Sequence, residues 1–311
     1  MARYLLLRLA DAIPTVFLVL ALVFIAMRIL PGDPAVAALG DMATQEQLAL
    51  FRERMGLNDP LWMQFFNFVK GVLTLDLGNS MMSNQNVVGL ILYNLPYTIE
   101  LTVVAMLMGL IMGVPLGVLA ATNRNKAPDS AVRGFSLIGY AIPDFYLGAL
   151  LLITFSLNLG WFPINGGGEG FAGRMYHVFL PALTLAFVKA AFIGRLTRTS
   201  LLEVLSKDYV RTARAKGAKE SRVIYRHGLR NALLPLTTGL GLSTLATLSG
   251  SVAIEMVFNR PGIGKLLINA IAERDYAVIQ GGVVVFAMFV VIINLLMDLL
   301  YIIVDPRIRM Q

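Results

Sequence analysis

The sequence predicts an all-α integral membrane protein with six transmembrane helices, and three observations carry that prediction. Hydrophobic residues make up 57% of the 311 positions and charged residues only 14%, with a mean hydropathy of +0.71. A soluble chain carries roughly 25% charge. Apolar runs of about 20 residues, each long enough for a ~30 Å hydrocarbon layer, recur along the chain. Most of the 26 Lys/Arg lie in short stretches beside alternate runs, the asymmetry expected of cytoplasmic loops.

Arg3 and Arg8 precede the first run, Ala12–Met27, which places the N-terminus in the cytoplasm. Ala35-Val36-Ala37 offers a small-residue cleavage pattern after it. The run is read here as a first membrane helix, and cleavage would leave the later topology unchanged. The segment MRILPGDP, Met27–Pro34, ends that helix, because Pro31 and Pro34 cannot continue it and Gly32 permits a turn. Residues 31–96 are expected to form an extracytoplasmic subdomain lying partly on the membrane surface. Within it Thr44 and Gln47 make a capping box for a helix whose face is Leu48, Phe51 and Met55, stopped by Gly56. A second helix is expected over Pro60–Lys70, with Trp62, Phe65, Phe66 and Val69 as its apolar positions.

Residues 97–311 hold the other five spans. Thr98–Ala121 carries Gly109, Gly113 and Gly117 at intervals of four, a stripe that lets a neighbouring helix approach closely. Packing within the chain is preferred to a subunit interface for it. Asn123–Arg133 is a short basic inner loop. Gly134–Gly160 crosses outward, interrupted by Pro143 and Asp144, and Trp161–His177 is an outer loop. Val178–Leu196 returns inward, with Lys189 snorkelling to the inner surface. Ala232–Met256 crosses outward, Phe258–Tyr276 is an outer segment, and Gln280–Val304 leads to a basic cytoplasmic tail, Asp305–Arg309.

The stretch around which the chain is organised is Asp208–Pro235, within a cytoplasmic loop of residues 203–235. Eight Lys/Arg lie between Lys207 and Pro235, against only Asp208 and Glu220. Lys207, Arg211 and Arg214 fall on one helix face, and Arg222, Arg226 and Arg230 on another, with Gly217 between the two patterns. Tyr209, Val210 and Ala213 lie off the first stripe, and Val223, Ile224 and His227 off the second. Pro235 suits the first turn of the next span.

Several chemistries are not supported. The nearest match to a phosphate-binding loop is NRPGIGK, Asn259–Lys265, which lacks the first Gly and has Leu266 where Ser/Thr would hold magnesium. It is read as a turn. There is no HExxH, no GxSxG and no paired intramembrane Asp, so no catalytic residue is assigned. With no Cys, disulfides and thiolate metal sites are excluded, and two His leave little for an imidazole site. The net charge of +7 sits beside apolar spans, which argues against nucleic acid as a partner. Polar residues within spans are costly in lipid and are the remaining candidates for a solute pathway: Asp144, Glu255 and Asn294. Asp144 is open to a second role, capping the half-helix that follows it. Asp298, near the inner surface, is read as structural.

The motifs LPGDP, LDLGNS, RTARAKG, RHGLRNALLP, NRPGIGK and the terminal DLLY and DPRIR together resemble the permeases of binding-protein-dependent ABC importers. The variant is that of the first permease subunit of the dipeptide/oligopeptide/nickel group. The general coupling motif of those permeases runs Glu-Ala-Ala, three residues, Gly, nine residues, Ile-x-Leu-Pro. Ala213, Gly217 and Leu229 match it; Arg211, Thr212, His227 and Arg230 depart from it. The resemblance implies a type I importer permease core in the bacterial inner membrane, both termini cytoplasmic. Arg211, Ala213, Arg214, Ala215, Gly217 and Ala218 would then couple to an ATPase.

By the same resemblance the partners are a second homologous permease, two cytoplasmic ABC ATPases, an extracytoplasmic solute-binding protein and membrane lipid. No cofactor is implied in this chain; ATP and magnesium would be bound by the ATPases. The solute class is peptide, with glutathione and nickel chelates as alternatives. An ion-driven secondary transporter is a second class, and it would call for midplane carboxylates and inverted repeats. A membrane-embedded enzyme is a third, and it would call for the catalytic constellation not found above.

Overall fold

In the computed structural model the described residues are 2–29, 34–40, 42–54 and 56–304. Most of LPGDP, Met55 and the tail Asp305–Arg309 lie outside them, as do the side chains of Arg3, Arg8 and Asp298. The described chain is built from helices α1 (Ala2–Ile29), α2 (Pro34–Leu39), α3 (Gln45–Arg54), α4 (Leu61–Thr74), α5 (Val87–Thr122), α6 (Ala127–Ala141) and α7 (Asp144–Leu151). There follow α8 (Gly170–Leu205), α9 (Asp208–Ala215), α10 (Glu220–Arg222), α11 (Arg230–Val257), α12 (Ile263–Glu273) and α13 (Tyr276–Val304). Two π-helical stretches, Leu152–Asn158 and Val223–Leu229, extend α7 and join α10 to α11. Among the described residues five helices are long and apolar enough to cross a membrane, and α6 with α7 makes a sixth span if the pair crosses as one.

The chain divides into two units, one of residues 1–96 and 261–292, the other of residues 97–260 and 293–311. In the first, Leu20, Val23 and Met27 of α1 share a core with Val87, Ile91, Ile263, Val278 and Val284. The expected capping box is present: Thr44 N–H donates to Gln47 Oε1 at 2.9 Å, and Gln47 N–H to Thr44 Oγ1 at 3.3 Å. Phe65 of α4 meets Phe17 and Phe24 of α1 edge-on, while Trp62 and Phe66 on its other face are exposed. The loop after α4 is tied down by Asp275, which accepts from Ser80 Oγ and Met81 N–H and also from Val278 N–H at the start of α13. One carboxylate therefore anchors LDLGNS and caps a long helix.

In the second unit α8 is central. The glycine stripe of α5 lies against it: side chains starting at Gly109, Gly113 and Gly117 would meet Lys189, Ile193 and Thr197 at 2.8 Å or less. The stripe thus packs within the chain, as expected. The other flank of α8 takes α6, through Ser136 Oγ donating to Ala191 O at 3.1 Å and Phe135 against Phe187. Val118 and Ala121 of α5, Leu201 of α8 and Ala232 of α11 close the end nearest α9.

Several expected boundaries shift. The helix that carries the second span starts at Val87, not Thr98, and that of the third long span runs Gly170–Leu205, not Val178–Leu196. The helix expected over Pro60–Lys70 is Leu61–Thr74. Pro235 is interior to α11, not in its first turn. A missing amide donor is tolerated there because the Val223–Leu229 stretch carries the helix in from α10, so that only one bond of a long ladder is lost. The interruption at Pro143 and Asp144 is a bend of 99°, sharper than a kinked single span. Lys189 does not snorkel; it is buried, its Cβ against Gly109.

Candidate functional site: a basic helical turn and the ion pairs of the spans

Glycine at position 217 has φ +78°, the left-handed conformation in which a Cβ is strained. It follows α9 and reverses the chain into α10. Gly217 N–H bonds to Arg214 O at 2.9 Å and Ala218 N–H to Ala213 O at 3.3 Å, which closes the last turn of α9. Arg214 then reaches across the turn to Glu220, Nε to Oε2 at 3.1 Å and Nη2 to Oε1 at 2.7 Å. This bidentate bond holds the Glu220 carboxyl below its usual range and raises the Arg214 guanidinium.

The two short helices have opposite faces of opposite character. Val210 of α9 and Val223 after α10 are fully buried, and both elements pack on the α8 end of their unit. Lys207, Arg211, Arg214, Ala215, Lys216 and Gly217 are exposed, and Ala213 and Ala218 half-buried. A basic knob therefore projects from the end of α8, with the small residues Ala215 and Gly217 exposed on it. The first stripe is as the spacing predicts. The second is also exposed at Arg222, Arg226 and Arg230, but it continues into α11 without a break.

Among the pathway candidates, Asp144 starts α7 at the 99° bend, with Oδ1 accepting from Phe145 N–H at 2.8 Å. Its other oxygen lies 2.7 Å from where a Cβ on Gly250 of α11 would sit. Glu255 is fully buried and accepts from Thr98 Oγ1 at 2.7 Å. Asn294 is exposed on α13. The structure does not bring these three into one cluster.

It assembles instead two ion-pair groups that the sequence reading missed. Glu100 Oε2 accepts from Arg260 Nη2 at 2.7 Å and from Arg174 Nη2 at 3.2 Å. Both guanidiniums flank the Tyr97 ring, at 4.8 Å for Arg174 and 5.3 Å for Arg260. Arg260 is fully buried, and neither its Nε nor its Nη1 has a hydrogen-bond partner among the described residues. The first part of NRPGIGK, Asn259–Gly262, is thus a turn whose Arg260 is held by an ion pair, and Ile263 to Lys265 open α12. Towards the other end of α8, Arg198 grips the buried Asp129 carboxylate, with Nη2 to Oδ2 at 2.8 Å, and Asn125 N–H donates to the same carboxylate. A signal for both groups was present: each is a charge inside or beside an apolar run, where a partner is required.

Comparison with known proteins places this architecture. Residues 113–310 match the family of binding-protein-dependent transport system inner membrane components, and residues 1–102 match the N-terminal family of such membrane components. The chain belongs to this family, and it is the permease subunit of an ABC importer, a multi-pass inner-membrane protein. It is 42% identical over 309 residues, 99% of each chain, to the glutathione transport system permease protein GsiC of Salmonella choleraesuis. It is 41% identical over the same span to GsiC of Escherichia coli K12. In fold it is similar to a chain of the MetNI methionine ABC transporter, at a TM-score of 0.58 and 19% identity, covering 70% of this chain and 96% of that one. Membership implies a nucleotide-hydrolysing partner and a solute-binding protein.

Proposed function

We propose that this chain carries short peptides or peptide-like solutes, glutathione first among them, through the inner membrane. ATP is hydrolysed on separate subunits. What supports the solute class is full-length identity to glutathione permeases, 42% over 309 residues, with no long insertion separating the chains. The mechanism follows from the basic knob. Two ATPases close on ATP, the groove of one receives Arg211, Ala213, Arg214, Ala215, Gly217 and Ala218, and the knob moves as one body because the Arg214–Glu220 bridge ties α9 to α10 while α9 and the Val223–Leu229 stretch pack on the end of α8. A second homologous permease completes the pathway, and Asp144, at the bend, is its first candidate lining residue, with Glu255 and Asn294 after it. Both termini and the knob are assigned to the cytoplasm, residues 31–96 to the exterior, and residues 97–311 to the permease core. The test is uptake by the assembled transporter in proteoliposomes loaded with ATP and given its binding protein. Labelled glutathione or a dipeptide should accumulate, and ATP turnover should rise with it. Uptake driven by an ion gradient without ATP would overturn this reading in favour of a secondary transporter.

A further inference from the structure

Helix α4, in the first unit, divides its surface three ways. Phe65 and Phe68 face α1, where Phe65 meets Phe17 and Phe24 edge-on at 5.7 and 5.2 Å and Phe68 stacks on Phe24. Roughly a quarter-turn round on one side, Gln64, Asn67 and Gly71 line a cavity together with Tyr276 and Gln280 of α13. Roughly a quarter-turn round on the other side, Trp62, Phe66 and Leu73 are bare, at 68%, 63% and 78% exposure. Aligned large apolar side chains left open mark a surface that something else covers.

What covers this stripe follows from α1. The core side of α1 carries Leu20, Val23 and Met27, and its bare side Leu18, Leu22 and Ile25. Phe17 and Phe24 lie between the two sides. There α4 rests on α1 with its cavity face towards the core, so its bare stripe turns to the bare side of α1 and continues that surface. Residues Ala12–Ile29 of α1 are long and apolar enough to span a membrane. A rise of about 1.5 Å per residue puts Phe24 about 8 Å and Phe17 about 18 Å from the end at Ile29. The Phe65 ring, held between them, is therefore inside the hydrocarbon that α1 crosses.

A helix at that depth must satisfy its backbone from within. Before α4, Leu57 O and Asp59 O accept from the Gln64 side-chain amide at 3.0 and 2.8 Å, and Pro60 O accepts from Met63 N–H at 2.9 Å. After it, Asp76 N–H returns to Gly71 O at 2.8 Å, and Thr74 Oγ1 donates to Lys70 O at 2.9 Å. Lys70 is exposed beside the stripe, and its long stem lets the ammonium reach the headgroups.

We infer that α4 is embedded in the bilayer leaflet at the C-terminal end of α1, with Trp62, Phe66 and Leu73 against acyl chains. The occupant of the stripe is lipid hydrocarbon. A protein docking from the water meets groups beyond Ile29, whereas this stripe prolongs a surface that lies below it. Residues 31–96 thus send one helix into the membrane instead of resting wholly on it. The inference does not depend on which solute is carried, and the proposed sidedness serves only to name the leaflet as the outer one.

The test uses the absence of cysteine from the sequence. Trp62→Cys, Phe66→Cys and Leu73→Cys are spin-labelled singly, with Leu22→Cys, Ile29→Cys and Asn58→Cys as references. All six side chains are exposed, so none of these variants removes a contact between α4 and α1. Each is assembled with cysteine-free partner subunits in phosphatidylcholine nanodiscs. Collision of the label with oxygen, which concentrates in hydrocarbon, is compared with collision with a water-soluble nickel chelate. Labels at 62, 66 and 73 should favour oxygen, as at 22, with the preference at 66 at least as strong as at 29; the label at 58 should favour the chelate. Chelate access at 62, 66 and 73 equal to that at 58 means the stripe faces water and overturns the inference. Little access to either reagent means a protein covers the stripe, and it overturns the inference equally. Either result leaves the proposed transport function standing.

Discussion

Arg214 and Glu220 form a two-bond bridge over the left-handed Gly217, at 3.1 and 2.7 Å. Both groups are largely exposed, so the bridge stabilises the turn by about 0–1 kcal/mol. The Glu220 carboxyl is held low because it accepts both bonds from Arg214. Its contribution is therefore complete above the ordinary carboxylate value and is lost as pH falls through the lowered folded value. Glu220→Gln should speed amide exchange of residues 213–219 at neutral pH. The swapped pair, Arg214→Glu with Glu220→Arg, should restore protection. If the swap protects no better than Glu220→Gln alone, the bridge does not order the turn.

Glu100 holds the buried Arg260, so removing only one partner leaves a charge stranded. Glu100→Ala should lower stability by about 3–5 kcal/mol. Replacing both with apolar residues, Glu100→Leu with Arg260→Met, should recover much of that loss. Thermal unfolding in detergent reads the difference. A double variant no better than Glu100→Ala contradicts the coupling.

Gly117 sits where an added Cβ would lie 2.4 Å from Thr197 Cβ and 2.6 Å from Gly194 O. Gly117→Ala should destabilise by about 1–3 kcal/mol, since backbone cannot give way as a side-chain tip can. Gly134, inside α6, has no atom of another element within 4 Å of its Cβ position among the described residues. There Gly→Ala should stabilise by about 0.5–1 kcal/mol. Equal effects at the two positions would show that α5 and α8 do not pack as described.

How far the sequence could be read follows from the range of each interaction. The glycine stripe, the capping box and the Gly217 turn were legible because their residues lie within four positions of one another, where helix geometry sets the spacing. Glu100, Arg174 and Arg260 were not. Their contacts join residues 74 and 160 positions apart, and no local period encodes that. Pro235 was misread for a related reason. Its place suits a helix start, but the continuity of α10 with α11 is decided by packing of Ile224 and Leu229 on the α8 end, not by local propensity. The 99° bend at Asp144 was visible as a break and not as an angle, since Pro143 marks where a helix stops without setting where the chain goes next.

The proposed sidedness of the loops rests on their charge and can be labelled directly, because the sequence contains no cysteine. Single cysteines at Asn58 and Glu169, both exposed, should react with an impermeant thiol reagent in intact cells. Cysteines at Lys126 and Lys216, also exposed, should react only after the membrane is opened. Gly167 is unsuitable as a probe, since a side chain there would strike Tyr97. Labelling at 216 from outside would reverse the assignment of the knob.

The central claim is that the Gly217 turn joins this permease to its ATPase. Among the described residues nothing lies within 4 Å of an added Cβ at position 217, so within this chain a substitution there acts through backbone strain. Valine strains a positive φ by about 1–3 kcal/mol, whereas asparagine accepts it readily. Membranes holding equal amounts of wild-type, Gly217→Val and Gly217→Asn assemblies should be compared for ATPase co-purification and for solute-stimulated ATP turnover. The account predicts that valine loses both while still inserting, and that asparagine keeps both. Near-normal co-purification and turnover with valine would contradict it.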